Sequence, residues 1–175
     1  LNLKSAATPA ALVVFDRVVA ADPAFRKTWL LHTMEEPKVD GGTATVDRTE
    51  QGGRGRMVLT ALLPAAEGLE IAKVGGRGRE FEVHGTNYPS EPTAKDAGAR
   101  CHEAGAWRLE LSPRNAAAED CFLVVMQMMD RDAGKALPVR LVAEGDRPGC
   151  RVGDREVLFS RGTGRVAQIQ GRPVR

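Results

Sequence analysis

Apolar residues fall at every second position through Trp107-Arg108-Leu109-Glu110-Leu111, with charged residues between them. A period of two is that of a strand with one face in a core and the other in water. Comparable apolar runs predict strands over 11–19, 27–34, 43–48, 56–63, 69–74, 80–83, 106–111, 121–129, 139–142, 150–152 and 156–159. Glycine-bearing turn words such as Asp40-Gly41-Gly42, Gly75-Gly76 and Glu144-Gly145-Asp146 separate them at intervals of about ten residues. That punctuation is characteristic of a sandwich or barrel rather than of βαβ units. The expected fold is all-β: one antiparallel β-sandwich of about ten short strands, with residues 1–175 as a single domain. The one helical candidate, Asn115-Ala116-Ala117-Ala118-Glu119, follows Pro113 and reads as a corner between strands.

Residues 25–39 read as a strand entered from a basic turn, with Trp29, Leu30 and Leu31 at its β-rich centre. Pro37 cannot donate to a ladder and ends the run. The Gly41-Gly42 turn then leads into Thr43-Ala44-Thr45-Val46, so a second strand is expected to return beside the first. The run over 121–129 is apolar except for Gln127. Residues 86–105 have no period and carry Pro89, Pro92, Gly98 and Gly105 among polar neighbours, which predicts a long mobile loop. The last residues, 164–175, show only weak strand character at Val166-Ala167-Gln168-Ile169.

Composition narrows the function classes. With 175 residues, 42% hydrophobic and 27% charged, the chain can fold around a core of its own. A net charge of +2 gives no reason to expect nucleic acid, and no apolar run is long enough for a membrane helix. The opening Leu1-Asn2-Leu3-Lys4-Ser5-Ala6-Ala7-Thr8-Pro9 has neither an initiator Met nor a signal-peptide pattern, so the sequence reads as a fragment of a longer chain. Cys101, Cys121 and Cys150 form an odd set without C-x-x-C spacing, which argues against a zinc site or a full disulfide framework. Cys121 reads as a small buried hydrophobe. Cys101 and Cys150 lie in loop-like sequence, where a single disulfide stays open as an alternative.

The chemistry-bearing candidates are few. Gly-Gly-Arg-Gly-Arg occurs at 52–56 and again at 75–79, with a looser copy at Arg161-Gly162-Thr163-Gly164-Arg165. In one reading the turns present Arg54, Arg56, Arg77 and Arg79 as substrate-binding residues to an anionic polymer, since a guanidinium fork matches carboxylate or sulfate. In the other, glycines make hairpin turns and arginines keep them wet. Neither copy matches a P-loop. His32, His84 and His102 have no metal-ligand spacing, and no cofactor is implied. By alternation His32 shares a face with Leu30, opposite Trp29 and Leu31, and reads as a hydrogen-bonded core or edge histidine. Glu35 and Glu36 point to opposite faces of an extended chain and cannot act as an acid/base pair. Ser112 and Ser160 lack a nucleophile-elbow context. Tyr88, the sole tyrosine, has a ring that can stack on a sugar, but with no partner base in view it is not a catalytic candidate. The aromatics Phe15, Phe25, Trp29, Phe81, Trp107, Phe122 and Phe159 read as core, and Met126, Met128 and Met129 as cover for a partner domain.

A family resemblance lies in the strand and turn words themselves. Val13-Val14-Phe15-Asp16-Arg17-Val18, the stretch 25–39, Leu62-Leu63-Pro64, Lys73-Val74-Gly75-Gly76, Gly78-Arg79-Glu80-Phe81, Trp107-Arg108-Leu109-Glu110-Leu111-Ser112-Pro113 and Asp120-Cys121-Phe122-Leu123 follow one another in order. Together, over about 12–130, they resemble the C-terminal β-region of heparinase II/III-like polysaccharide lyases. Such enzymes abstract the C5 proton of a uronic acid with Tyr and His residues carried mainly on a helical toroid, and some bind a structural metal in the first strands of the β-region. No segment here resembles the toroid, and those first strands are not recognisable, so no catalytic or metal residue is carried over. The resemblance therefore implies a noncatalytic β-sandwich domain. Its partners would be the helical catalytic domain of the same protein and an anionic polysaccharide, in a periplasmic or secreted setting. Two alternatives stand beside it: an independent carbohydrate-binding module, and residual lyase activity through His32 or His84 with Tyr88.

Overall fold

The computed structural model describes residues 1, 3, 8, 10–50, 52–88, 105–163 and 165–170. Their regular structure is almost entirely antiparallel β, as the alternation predicts, with one 3-10 turn at Ala66–Gly68. A central sheet has five strands in the spatial order β1 (Ala10–Val19), β10 (Glu119–Asp130), β5 (Gly53–Leu63), β4 (Thr43–Glu50) and β3 (Lys38–Asp40). A sheet of three, β2 (Trp29–Thr33), β9 (Trp107–Pro113) and β6 (Leu69–Gly75), shares a core with one of its faces. A sheet of four, β11 (Val139–Glu144), β12 (Arg147–Val152), β13 (Arg155–Phe159) and β14 (Val166–Gln170), shares a core with the other. The hairpin β7 (Glu82–Val83) and β8 (Thr86–Asn87) stands apart from these three.

The sandwich thus has a third layer, and β10 explains why. Leu123 and Val125 point into the core that holds Phe15, Val152 and Phe159. Val124 and Met126 point the opposite way, into the core of Leu59, Leu109 and Leu111. A strand buried on both faces loses its alternation, hence the unbroken apolar run. The one polar interruption is satisfied: Gln127, fully buried, donates its amide to Leu137 O at 3.0 Å and accepts from Leu137 N at 2.9 Å. On the four-stranded side Phe15 and Phe159 stack with centroids 5.0 Å apart.

Several sequence expectations need correction. The stretch 25–39 is not one strand: Trp29–Thr33 forms β2, Lys38 and Val39 begin β3, and β2 pairs with β9 rather than with the chain that follows. The Gly41-Gly42 turn does make a hairpin, but its arms are β3 and β4, and β4 passes on to β5 in the central sheet. Trp29 and Leu31 therefore meet Ala44 and Leu59 across a core instead of lying beside them. Asn115 to Ala118 contain no helical turn. Cys150 is no loop residue; it sits fully buried in β12 as a thiol, and burial pushes its pKa up to about 11. Cys101 and His102 lie outside the described residues, as does 89–104 of the segment expected to be mobile, while Thr86–Asn87 form β8. Met126 and Met129 are buried within the chain itself, and only Met128 is exposed. No helix among the described residues is long and apolar enough to cross a membrane.

Candidate functional site

The two Gly-Gly-Arg-Gly-Arg copies sit in different sheets and make different structures. The first closes the β4–β5 hairpin, with Gly52 in the left-handed region at φ 82°. Arg54 and Arg56 stand two residues apart on β5 and so share a face. Arg56 grips its cross-strand partner Asp47 with both arms of the fork, at 2.6 and 2.8 Å, and Arg54 pairs with Asp132 at 2.8 Å. The bond from Arg56 holds the Asp47 carboxyl below the usual carboxylate range. The second copy ends β6 and turns the chain back over the outer face of the three-stranded sheet. Gly75 is required there, since a Cβ would lie 2.3 Å from the Ala106 carbonyl oxygen, at φ 145°. Arg79 donates to Glu82 at 2.5 and 3.0 Å. Arg77 is exposed and has no ion-pair partner among the described residues. The N–H groups of Glu80 and Gly78 bond to the Glu80 carboxyl and lower its pKa, so these donors are spent on the chain's own carboxylate. In the looser third copy, Arg161 pairs with Glu119 at 3.1 Å, which Arg17 also holds at 2.6 Å.

What the second copy builds is a groove of about 630 Å³ between the β7–β8 hairpin and the outer face of the three-stranded sheet. Alternation sends Leu109 and Leu111 inward and Arg108 and Glu110 outward, while Leu30 and His32 face out from β2. The cross-strand rows are Leu30, Glu110, Ala72 and His32, Arg108, Val74. The hairpin adds Glu82, Val83 and His84 from above. His84, at φ 49°, and Gly85, at φ 81°, form its tip, two successive left-handed residues as in a type I′ turn. Arg108 donates to Glu110 at 2.8 and 2.7 Å. The Glu82 carboxyl is held low chiefly by its bond from Arg79, with the charges of Arg79 and Arg108 adding to the effect.

Arg26 closes one end of the groove and also lines a smaller depression of about 250 Å³ with Phe25 and Arg114. Sequence reasoning assigned Phe25 to the core, yet it is 61% exposed. The reason lies in the next residue but one. Lys27 is buried, with Nζ 3.0 Å from Asp120 Oδ2 and donating to Ala117 O at 2.5 Å, which leaves Phe25 and Arg26 outside. Ser112 is buried and shares a 2.9 Å hydrogen bond with Thr28, so it is a structural hydroxyl. Glu36 pairs with Lys73, and the Glu35 carbonyl accepts from Thr33 at 2.9 Å. His32 and His84 share the groove, whereas Tyr88, exposed beyond β8, does not line it. Among the described residues no three His, Cys, Asp or Glu side chains are grouped to hold a metal. What the groove offers chemically is hydrogen bonding and apolar contact.

No protein-family model matches the chain, and no curated protein matches it.

Proposed function

We propose that this chain is the noncatalytic β-sandwich domain of a heparinase II/III-like uronate polysaccharide lyase, supporting the helical catalytic domain and contacting the anionic polymer. The proposal rests on where the resembling segments fall. They occupy β1, β2, the start of β3, the end of β5, the end of β6, the turn into β7, β9 and the start of β10. Those elements belong to the two sheets that share one core, with the turn into the hairpin beside them, and the four-stranded sheet, built from 139–170, follows the resembling stretch in the chain.

A partner-facing surface supports the same reading. Leu12 and Met128 are exposed on the same face of the central sheet as Val14 and Met126, the face against which the three-stranded sheet packs, at positions that sheet does not cover. Beside Met128 lies an apolar hollow of about 340 Å³, with Leu31, Val46 and Met57 in its wall. Unpaired apolar surface of this kind suits a packed neighbour. In that setting the protein works outside the cytoplasm, periplasmic or secreted, where such polymers are met. One fact favours the rival, an independent carbohydrate-binding module: from Leu123 to Met126 β10 is already covered on both faces by the chain's own layers.

The test is to pass the purified chain over immobilised heparin and immobilised alginate and, separately, to incubate it with both polymers. Retention should weaken steeply with salt, as counterion release requires, and no unsaturated uronate should form. Cleavage by the chain alone, or passage unretained at low salt, would refute the proposal.

A further inference from the structure

We propose that the groove beneath the β7–β8 hairpin, together with the depression that continues it past Arg26, is a binding track for a linear polysaccharide bearing spaced carboxylates. This rests on the reading that the domain contacts an anionic polymer, and it moves that contact away from the arginine turns.

Shape comes first. The two hollows share Arg26, and β9 lines both, with Arg108 and Glu110 in the first and Pro113 in the second, a span of about 16 Å at strand rise. That is longer than one sugar ring, so the surface suits a chain rather than a single sugar.

The charges select the ligand. Arg108 is only 14% exposed and committed to Glu110. Arg26 is 58% exposed, and its nearest carboxylate, Glu70, stands 3.9 Å away. Its Nε donates to Ser112 Oγ at 3.3 Å, which steadies the side chain and leaves the outer N–H groups for a ligand carboxylate. Glu82 and Glu110 are each paired to an arginine, so the groove offers little net positive charge for a densely charged polyphosphate, yet their oxygens are acceptors for hydroxyl groups. A ligand with many hydroxyls and a carboxylate only at intervals satisfies both constraints.

Apolar contact completes the match. Phe25 presents its ring beside Arg26, and Leu30 and Val83 are exposed within the groove. Each offers a surface for the C–H face of a pyranose. Phe25 and Arg26 are also held in place, because the buried Lys27 next to them is tied to Asp120 and Ala117.

The experiment titrates the whole chain by calorimetry with alginate and pectate hexasaccharides, and with mannohexaose as the neutral probe. Arg26→Gln and Phe25→Ala should each weaken acidic-probe binding by about tenfold while leaving the melting temperature close to the parent's. In amide spectra of the unmodified chain, the acidic probes should shift Leu30, His32 and Val83, a measurement that needs no variant to fold. If the parent binds but both variants bind equally well and those amides stay still, the track is overturned and the polymer-contact reading stands. Loss of binding in a combined Arg54, Arg56, Arg77 and Arg79 to Ser variant would then place the contact at the turns. If the parent binds no acidic probe, both fall. Equal binding of mannohexaose would overturn the choice of a carboxylated ligand.

Discussion

Replacing Lys27 by Met should unfold this domain more readily than any surface change, and the structure sets the magnitude. The Lys27 and Asp120 side chains are 6% and 15% exposed with 3.0 Å between Nζ and Oδ2. The carboxylate oxygen lies off the direction of a good hydrogen bond, so the attraction is mainly one of charge. Lys27 also donates to Ala117 O at 2.5 Å and Phe25 O at 3.3 Å. Methionine keeps the apolar stem and removes every donor, stranding a nearly buried carboxylate and two carbonyls. Breaking one side of a buried pair costs about 3–5 kcal/mol, and because water still reaches Asp120 the lower end, about 3 kcal/mol, is expected. Domains of this size are stable by about 5–15 kcal/mol, so the urea midpoint should fall by about 1–2 M at an unchanged slope. The readout is the fluorescence of Trp29 and Trp107. Adding Asp120→Asn to Lys27→Met removes the stranded charge and should restore about 1 kcal/mol or more. A single variant within about 0.5 kcal/mol of the parent, or a double variant no better than the single, would refute the claim that a buried charge pair fixes this junction.

Two further outcomes follow from the turns. Gly75→Ala should cost about 2 kcal/mol or more in thermal melting, since it combines a positive φ with a backbone clash, while Gly78→Ala, at φ 80° with nothing within 4 Å of its Cβ, should cost about 1 kcal/mol; equal losses would contradict the steric account. Asp47 has its folded pKa lowered chiefly by the bond from Arg56, so its stabilising contribution is present above the unfolded value of about 4 and is lost as pH falls through the folded value. The melting temperature of Asp47→Asn should therefore fall less steeply below about pH 4 than the parent's, and parallel curves would count against it.

The fold class was legible because a period of two needs no knowledge of partners: Trp107 to Leu111 already say which face is wet. Which strand lies beside which was not legible. A turn such as Gly41-Gly42 shows that the chain reverses, but β2 and β4 satisfy their apolar faces equally well side by side or across a core. The third layer did leave a signal. A run of apolar residues over 121–129, where other strands alternate, means two buried faces and therefore a sheet on each side. Gln127 hid it by resembling a solvent-facing interruption, although its amide is spent on Leu137.

The site was legible only in part, because residue type misleads wherever a local pair overrides it. Phe25-Arg26-Lys27 reads as an aromatic going in and two cations staying out; the structure buries the lysine and exposes the aromatic. The missing information is Asp120, about ninety positions away, whose charge makes burial of Lys27 tolerable. The arginine repeats mislead in the opposite direction. Two identical pentapeptides invite one role, yet the first zips a hairpin through the Arg56–Asp47 fork, and the second matters chiefly for Gly75. Without a Cβ at Gly75 the backbone passes close to Ala106 and swings β7 and β8 over the sheet. In the second repeat the glycine makes the groove and Arg79 pins its wall through Glu82. On the proposed track, Gly75→Ala should weaken the calorimetric binding of an alginate hexasaccharide more than Arg77→Gln does, although arginine is the residue that chemistry alone would have chosen; equal weakening by the two would refute that role for the glycine.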